Sequence, residues 1–295
     1  MRSMSLHESR DSKGTVSLRE LFDNAEAHPF DMNDGYSLEE TAYLLCRGGW
    51  PMNLGKSRRV SLDQTENYFE GLLHFDNGEN AVFRNKKPEV LRMILRSYAR
   101  HVSQPAPNKA IIDDVMAQNN RTLDPKTFDE YMDVLRDLFI VEDMEAWNIN
   151  RRSKAAVRAT PTRHFTDASI ACCALGISPS DLMNDLQTFG LLFEDMAVRD
   201  LRVYSMPLDG KVYHYRDSNG LECDAVIHLR DGRWGLVEIK LGGEQRIEEG
   251  ARNLNRLASK VAEGREAFRM VLTATGAAYR RKDGVFVVPI NLLRG

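Results

Sequence analysis

The order of patterns along the chain predicts an α+β protein, with helices first and a mixed sheet last. Three observations carry this expectation. Helix-start signals crowd the first quarter, and helical periodicity continues to about residue 147. From Ser180 onward, apolar runs of strand length alternate with Asn-Gly and Asp-Gly turns. The 295 residues are 42% hydrophobic, enough for more than one core.

Taken in order, "SLRE" at Ser17, "SLEE" at Ser37 and "SLDQ" at Ser61 each place Glu or Gln three residues after Ser. This is the capping box, in which the Ser oxygen accepts from a free backbone N–H while the longer side chain reaches back. It predicts three helices within 17–75. The second ends at "RGGWPMNLGKS", where Gly and Pro break the pattern, and Trp50 and Pro51 are expected in a packed loop. "GKS" at 55–57 imitates the end of a phosphate loop, but the first glycine of G-x-x-x-x-G-K-[ST] is replaced by Trp50 and no strand leads in. No ATP site is expected in this chain.

Residues 87–147 read as helix, helix, helix and then a short strand, "IVEDMEAW". Asp124 caps the third helix, Pro125 suits its first turn, and Phe128, Met132, Leu135 and Phe139 recur at core spacing. That order suggests a winged helix-turn-helix. The would-be recognition helix, however, carries Asp129, Glu130, Asp133 and Asp137, which repel phosphates. A packing or partner role suits it better than groove reading.

The formal charge is −3 and the pI near 6.2, so a nucleic-acid contact has to come from local basic segments. One such segment is the helix bearing Arg84, Lys86, Lys87, Arg92, Arg96 and Arg100. The other is "NRRSKAAVRATPTRH", with Arg151, Arg152, Lys154 and Arg158 and no acid between Ala146 and Phe165. Each alone reads as a solvated face or linker; together they are candidates for a phosphate-contacting channel. Cys46, Cys172, Cys173 and Cys223 form no C-x-x-C, and the seven histidines show no ligand spacing, so buried thiols and ordinary histidines are expected. There is no signal-peptide h-region and no apolar run near the roughly 20 residues a membrane span needs. A cytoplasmic protein without membrane contact is the expectation.

The last part reads α-β-β-β-α-β with one further strand. Side chains alternate along a strand, so Glu238 and Lys240 in "RWGLVEIKL" share a face, as do Glu222 and Asp224 in "LECDAVIHL". If those faces meet, two carboxylates and an ammonium converge. Asp224 and Glu238 are then candidate ligands for Mg²⁺, a hard ion that binds through one or two carboxylates and keeps waters for a phosphate substrate. Lys240 is the candidate for orienting water or stabilising charge. The pattern [DE]-x-K is weak alone, since Asp11/Lys13, Asp124/Lys126 and Asp209/Lys211 also match. Glu238 alone lies in an apolar strand that follows a second acid-bearing strand, and a helix with Glu194 precedes both.

With Asp224, Glu238 and Lys240 in that order, "LECDAVIHL…GLVEIKLG" resembles the PD-(D/E)XK nuclease superfamily. Glu194 in "GLLFEDMAVRDL" resembles the first-helix glutamate of its Holliday-junction-resolvase-like branch. "MRSMSLHESRDSKGTVSLRELF", "RGGWP", "LDPKTFDEYMDVLRDLFIVEDMEAW" and "RDSNGLECDAVI" extend the resemblance to prokaryotic AAA-type ATPases with a C-terminal nuclease-like domain of unknown function. In such relatives the phosphate loop lies upstream of the segment like "MRSMSLHES", where this sequence begins. The resemblance implies a helical, lid-like segment at 1–75, a winged-helix-like part at 76–150 and a restriction-endonuclease-like α/β domain at 151–295. Three functions follow as expectations. These are Mg²⁺-dependent phosphodiester hydrolysis of DNA or RNA by Asp224, Glu238, Lys240 and Glu194, a non-catalytic module of an ATPase that binds nucleic acid or protein, and a winged-helix regulator.

Overall fold

The computed structural model describes residues 2–25, 35–74, 86–119, 122–148, 160–261 and 265–295. In chain order the first elements are β1 (Val16–Ser17), α1 (Leu18–Asn24), α2 (Leu38–Arg47), α3 (Arg58–Leu73), α4 (Pro88–Arg100), α5 (Asn108–Asn119) and α6 (Pro125–Asp137). Next come α7 (Ala168–Leu175), α8 (Pro179–Asn184), α9 (Leu186–Ser205), β2 (Gly210–Arg216), β3 (Glu222–Leu229) and β4 (Arg233–Lys240). The last elements are α10 (Glu244–Lys260), β5 (Arg265–Thr273), β6 (Tyr279–Arg280), β7 (Phe286–Pro289) and β8 (Leu293–Arg294). The fold is mixed α+β with a mixed sheet in the C-terminal region, as the element order predicts. Among the described residues no helix is long and apolar enough to cross a membrane.

Contacts gather the chain into two compact units. The first comprises Met1–Ser3, Ala42–Asp143 and Thr160–Asp195; the second comprises Met4–Thr41, Met144–Ala159 and Met196–Gly295.

The first unit is helical. Two capping expectations hold within the chain as a whole, since Ser17 accepts from Glu20 N–H and Ser37 from Glu40 N–H. The third does not. α3 begins one turn earlier than "SLDQ" suggests, capped by Ser57 of "GKS", whose side chain accepts from Val60 N–H. Ser61 is buried inside the helix and donates to Asn53 O. The loop before α3 packs as expected, with Trp50 donating to Ser169 Oγ and stacking on Tyr68 at 4.3 Å.

In α6, Asp124 caps Lys126 and Thr127 N–H, and Phe128, Met132 and Leu135 are buried. Phe139 departs from the expected core set and is 57% exposed. The helix has ended at Leu138, Phe139 takes the left-handed φ of 55°, and Ile140 N–H bonds back to Leu135 O at 2.9 Å. This is a Schellman-type stop with Phe where Gly is usual, and it turns Phe139 outward while Ile140 and Val141 enter the core. "IVEDMEAW" forms only isolated bridges, such as Val141 with Phe165, instead of the expected strand. The acids Asp129, Glu130, Asp133 and Asp137 line the exposed face of α6, as read from the sequence.

The second unit holds a six-stranded sheet of order β2-β3-β4-β5-β7-β6. β2, β3 and β4 are antiparallel, β4, β5 and β7 parallel, and β6 is an antiparallel edge. α10 covers one face, where Ala251, Leu254 and Leu257 join Val226, Leu236, Val271 and Val287 in one core. α1 covers the other, where Phe22 meets Phe268 edge-on at 5.0 Å. Gly235 lies opposite Phe268 in the β4–β5 register, and a β-carbon there would sit 2.4 Å from the Phe268 ring. Glycine is thus required for the ring to lie flat across the sheet.

Candidate metal centre

The trio Asp224, Glu238 and Lys240 forms at the end of the β3–β4 ladder. The antiparallel register runs from His228↔Trp234 to Ala225↔Val237, which makes Asp224 and Glu238 the next opposed residues as the strands part. A bulge in β3 contributes to this. Between Tyr213 and Tyr215 of β2 the paired positions of β3 move from Val226 to Cys223, so His214 alone faces both Asp224 and Ala225. Alternation is broken there, and Cys223 and Val226, an odd number apart, enter the same core under α10. Bulges re-aim side chains in this way. Freed from ladder pairing, Asp224 accepts through Oδ2 from Ile239 N–H at 2.7 Å.

Lys240 bridges the two acids. Its Nζ lies 2.9 Å from Asp224 Oδ2 and 2.6 Å from Glu238 Oε2. Glu238 is almost wholly buried at 2% side-chain exposure, whereas Asp224 and Lys240 keep 18% and 22%. Burial, and then the Asp224 charge, push the Glu238 carboxyl up to about 8, against the opposing pull of Lys240. Burial works against the Lys240 ammonium, but the two carboxylates outweigh it and hold its pKa above the usual lysine value. Two carboxylates therefore share one cation, and one of them is poised to hold a proton near neutrality.

Thr273 was not marked by the sequence reading. It pairs with Lys240 in the parallel β4–β5 register and so projects to the same face. Its hydroxyl is buried and has no hydrogen-bond partner among the described residues. The only sequence signal was a polar residue closing the apolar run "FRMVLT". α10 closes over the trio from above, with Gly250 so near that a β-carbon would lie 3.3 Å from Glu238 Cβ.

These residues fit Mg²⁺ better than a metal caged wholly by protein. Among the described residues no group of three or more His, Cys, Asp or Glu is placed to hold a metal ion. A hard cation needs only one or two carboxylates and retains its own waters, and the orphaned Thr273 hydroxyl is a polar atom such water can satisfy.

The other sequence candidates are not drawn into this trio. Glu194 lies on α9 in the part grouped with the first unit. Arg151, Arg152, Lys154 and Arg158 fall outside the described residues. In the other basic segment, Lys86, Arg92 and Arg100 are tied to Glu130, Glu70 and Asp114. Those pairings weaken the expected phosphate channel. Cys46, Cys172 and Cys223 are buried free thiols and Cys173 is partly exposed, in keeping with the sequence reading.

No curated protein matches the chain. Residues 38–181 match the family model described as a domain of unknown function, DUF8612, and residues 189–293, which include the trio, match a second domain of unknown function, DUF4143.

Proposed function

We propose that the second unit is a metal-dependent phosphodiesterase acting on DNA or RNA, with Asp224 and Glu238 as ligands of Mg²⁺ and Lys240 beside them. The observation that carries this is the convergence of two acids and a lysine at a strand opening, with Glu238 buried and its carboxyl raised. A bound Mg²⁺ would polarise the phosphodiester and lower the pKa of a water. The chain's own residues do the rest. Asp224 is held in place through Oδ2 by Ile239 N–H. Glu238 releases its proton when a cation replaces it. With a cation on the two acids, Lys240 would be the chain's own group for steadying the attacking water or the charge developing on phosphorus. The DUF4143 domain is commonly found in AAA-ATPase-associated proteins, in keeping with the resemblance drawn from the sequence.

The test is cleavage of labelled oligonucleotides with Mg²⁺ or Mn²⁺. Asp224→Ala and Glu238→Ala are expected to lower the rate by about 1,000-fold or more, roughly 4 kcal/mol of barrier, while the circular dichroism spectrum is kept. Cleavage surviving in both variants would remove the assignment.

One observation favours a second reading, a non-catalytic module that binds nucleic acid or protein. Lys240 already bridges both acids from within the chain. In that case Mg²⁺ leaves the thermal midpoint of unfolding unchanged, whereas a metal site raises it through mass action. The exposed acidic face of α6 argues against the third expectation, a winged-helix regulator reading the major groove.

A further inference from the structure

The outward face of α10 carries cations whose side chains have no carboxylate partner among the described residues. Arg252 and Arg256, one turn apart, are exposed, and their guanidinium groups make no hydrogen bond or ion pair among the described residues. Asn255, between them, donates to Asp283 Oδ2 at 3.2 Å and accepts from Arg269 through Oδ1. That tie fastens the β6–β7 turn, "RRKDG", to the same stretch of helix. Arg281 within the turn is neutralised by Glu248 at 2.8 Å and by Asp283 at 3.2 Å. Lys282 beside it is exposed and has no partner among the described residues.

Scattered surface cations ordinarily mean nothing more than a solvated face. Here three unpaired ones are gathered by a buttressed turn in a chain whose net charge is −3. Two of them stand on the helix that roofs the candidate centre. Gly250 faces Glu238, and Arg252 follows two residues later, about 3 Å along the axis and on the far side of a helix about 10–12 Å across. Anions held by this face therefore lie beside the trio and not in it. Arginine forks match phosphate oxygens two at a time.

We infer that Arg252, Arg256 and Lys282 form a docking surface for the phosphate backbone of a nucleic acid, flanking the site of the proposed chemistry on which this inference rests. The surface takes the place of the basic stretches that the sequence suggested.

The experiment is fluorescence anisotropy of a labelled DNA duplex with the full chain, in EDTA so that no metal chemistry intervenes. Binding by the wild type is expected to weaken steeply between about 50 and 200 mM salt. Arg252→Gln/Arg256→Gln/Lys282→Gln is expected to bind about tenfold or more weakly at the lower salt. Its plot of log affinity against log salt should be shallower by about 2 to 3, one unit per lost phosphate contact. All three side chains are exposed, so an unchanged melting curve is expected to accompany the loss. Wild-type affinity in the triple variant, no duplex binding by the wild type, or displacement of the duplex by polyglutamate at equal charge would each overturn the inference. The two proposals separate cleanly. Metal-dependent cleavage fully retained in the triple variant overturns the docking surface alone, and salt-dependent binding without any cleavage overturns the metal centre alone.

Discussion

Arg163 in the first unit and Lys240 in the second are both cations set against acids, yet their surroundings are finished to different degrees. Arg163 is 3% exposed and each nitrogen of its fork meets an acceptor. Nε donates to Ala106 O at 2.7 Å, one terminal nitrogen to Asp143 Oδ2 at 2.8 Å, and the other to Asn108 Oδ1 at 2.7 Å. Asp143 also accepts from the Tyr98 hydroxyl, and next along the chain His164 is held between Asp195 at 2.8 Å and Thr162 at 3.1 Å. Lys240 instead serves two acids at once, one of which is driven toward its protonated form, and the Thr273 hydroxyl on the same face is left over. A charge whose every direction is filled holds loops together. A cluster with an excess acid and a spare hydroxyl can accept something from outside, and this difference is why the trio, and not the Arg163 network, is read as the functional site.

The largest effect on stability should come from breaking the filled network. Arg163→Met takes from Asp143 its closest cation, leaving it Arg136 at 3.2 Å and the Tyr98 hydroxyl, and strands the Ala106 carbonyl and the Asn108 oxygen, a loss of about 3 kcal/mol. Lys240→Met removes the same charge from the trio but is expected to cost clearly less at pH 6, because Glu238 can keep its proton and Asp224 retains the Ile239 N–H. Urea denaturation of the two variants measures the gap. Equal losses would mean that the Lys240 bridge is as structural as the Arg163 one.

Next in size is a pH effect. The Glu238 carboxyl stands at about 8 in the fold against an ordinary value of 4.5, so the folded chain holds a proton there that the unfolded chain releases. Stability from this group therefore falls as pH rises from about 4.5 to about 8. Lys240, held above its ordinary value, stays charged throughout that window and adds no slope. Glu238→Gln cannot titrate and should lose this decline. Subtracting the variant's unfolding free energy from that of the wild type at each pH cancels groups common to both, including Asp200, whose carboxyl burial also raises. A difference that stays flat from pH 5 to 8 would show that Glu238 is ionised throughout. A metal ion reverses the sense, since it needs the carboxylate, and its affinity should climb toward pH 8.

Much of the trio was legible because strand alternation is local. Residues two apart share a face whatever surrounds them, so Glu238 and Lys240 could be paired from the sequence, and turn chemistry located β3 and β4. Other features depend on choices between local signals that only packing makes. Ser57 and Ser61 both precede a suitable turn, and the earlier one wins because Ser61 and Thr65 are needed in the core, bonded to the loop at Asn53 and Arg47. Phe139 fits the helical period but lies just past the Schellman stop, which no glycine announced. The β3 bulge, and the Thr273 hydroxyl that parallel pairing brings beside Lys240, arise from register between distant strands and leave no mark on either strand alone.

The smallest effect tests how tightly the roof of the trio is set. Alanine in place of a helical glycine usually stabilises by up to about 1 kcal/mol. At Gly250 the added carbon would meet Glu238 Cβ at 3.3 Å and Val271 Cγ2 at 3.4 Å, both on strands in the middle of the sheet. Those atoms cannot retreat without moving backbone that is hydrogen-bonded on both sides, so α10 has to lift instead. Gly250→Ala is expected to lower stability by about 1 kcal/mol or less, the reverse of the propensity trend. Gly250 and Arg163 belong to different compact units, so Gly250→Ala combined with Arg163→Met is expected to be additive within about 0.5 kcal/mol. A stabilised Gly250→Ala would mean that the helix rides loosely over Glu238 and that the closeness of the trio is not enforced from above.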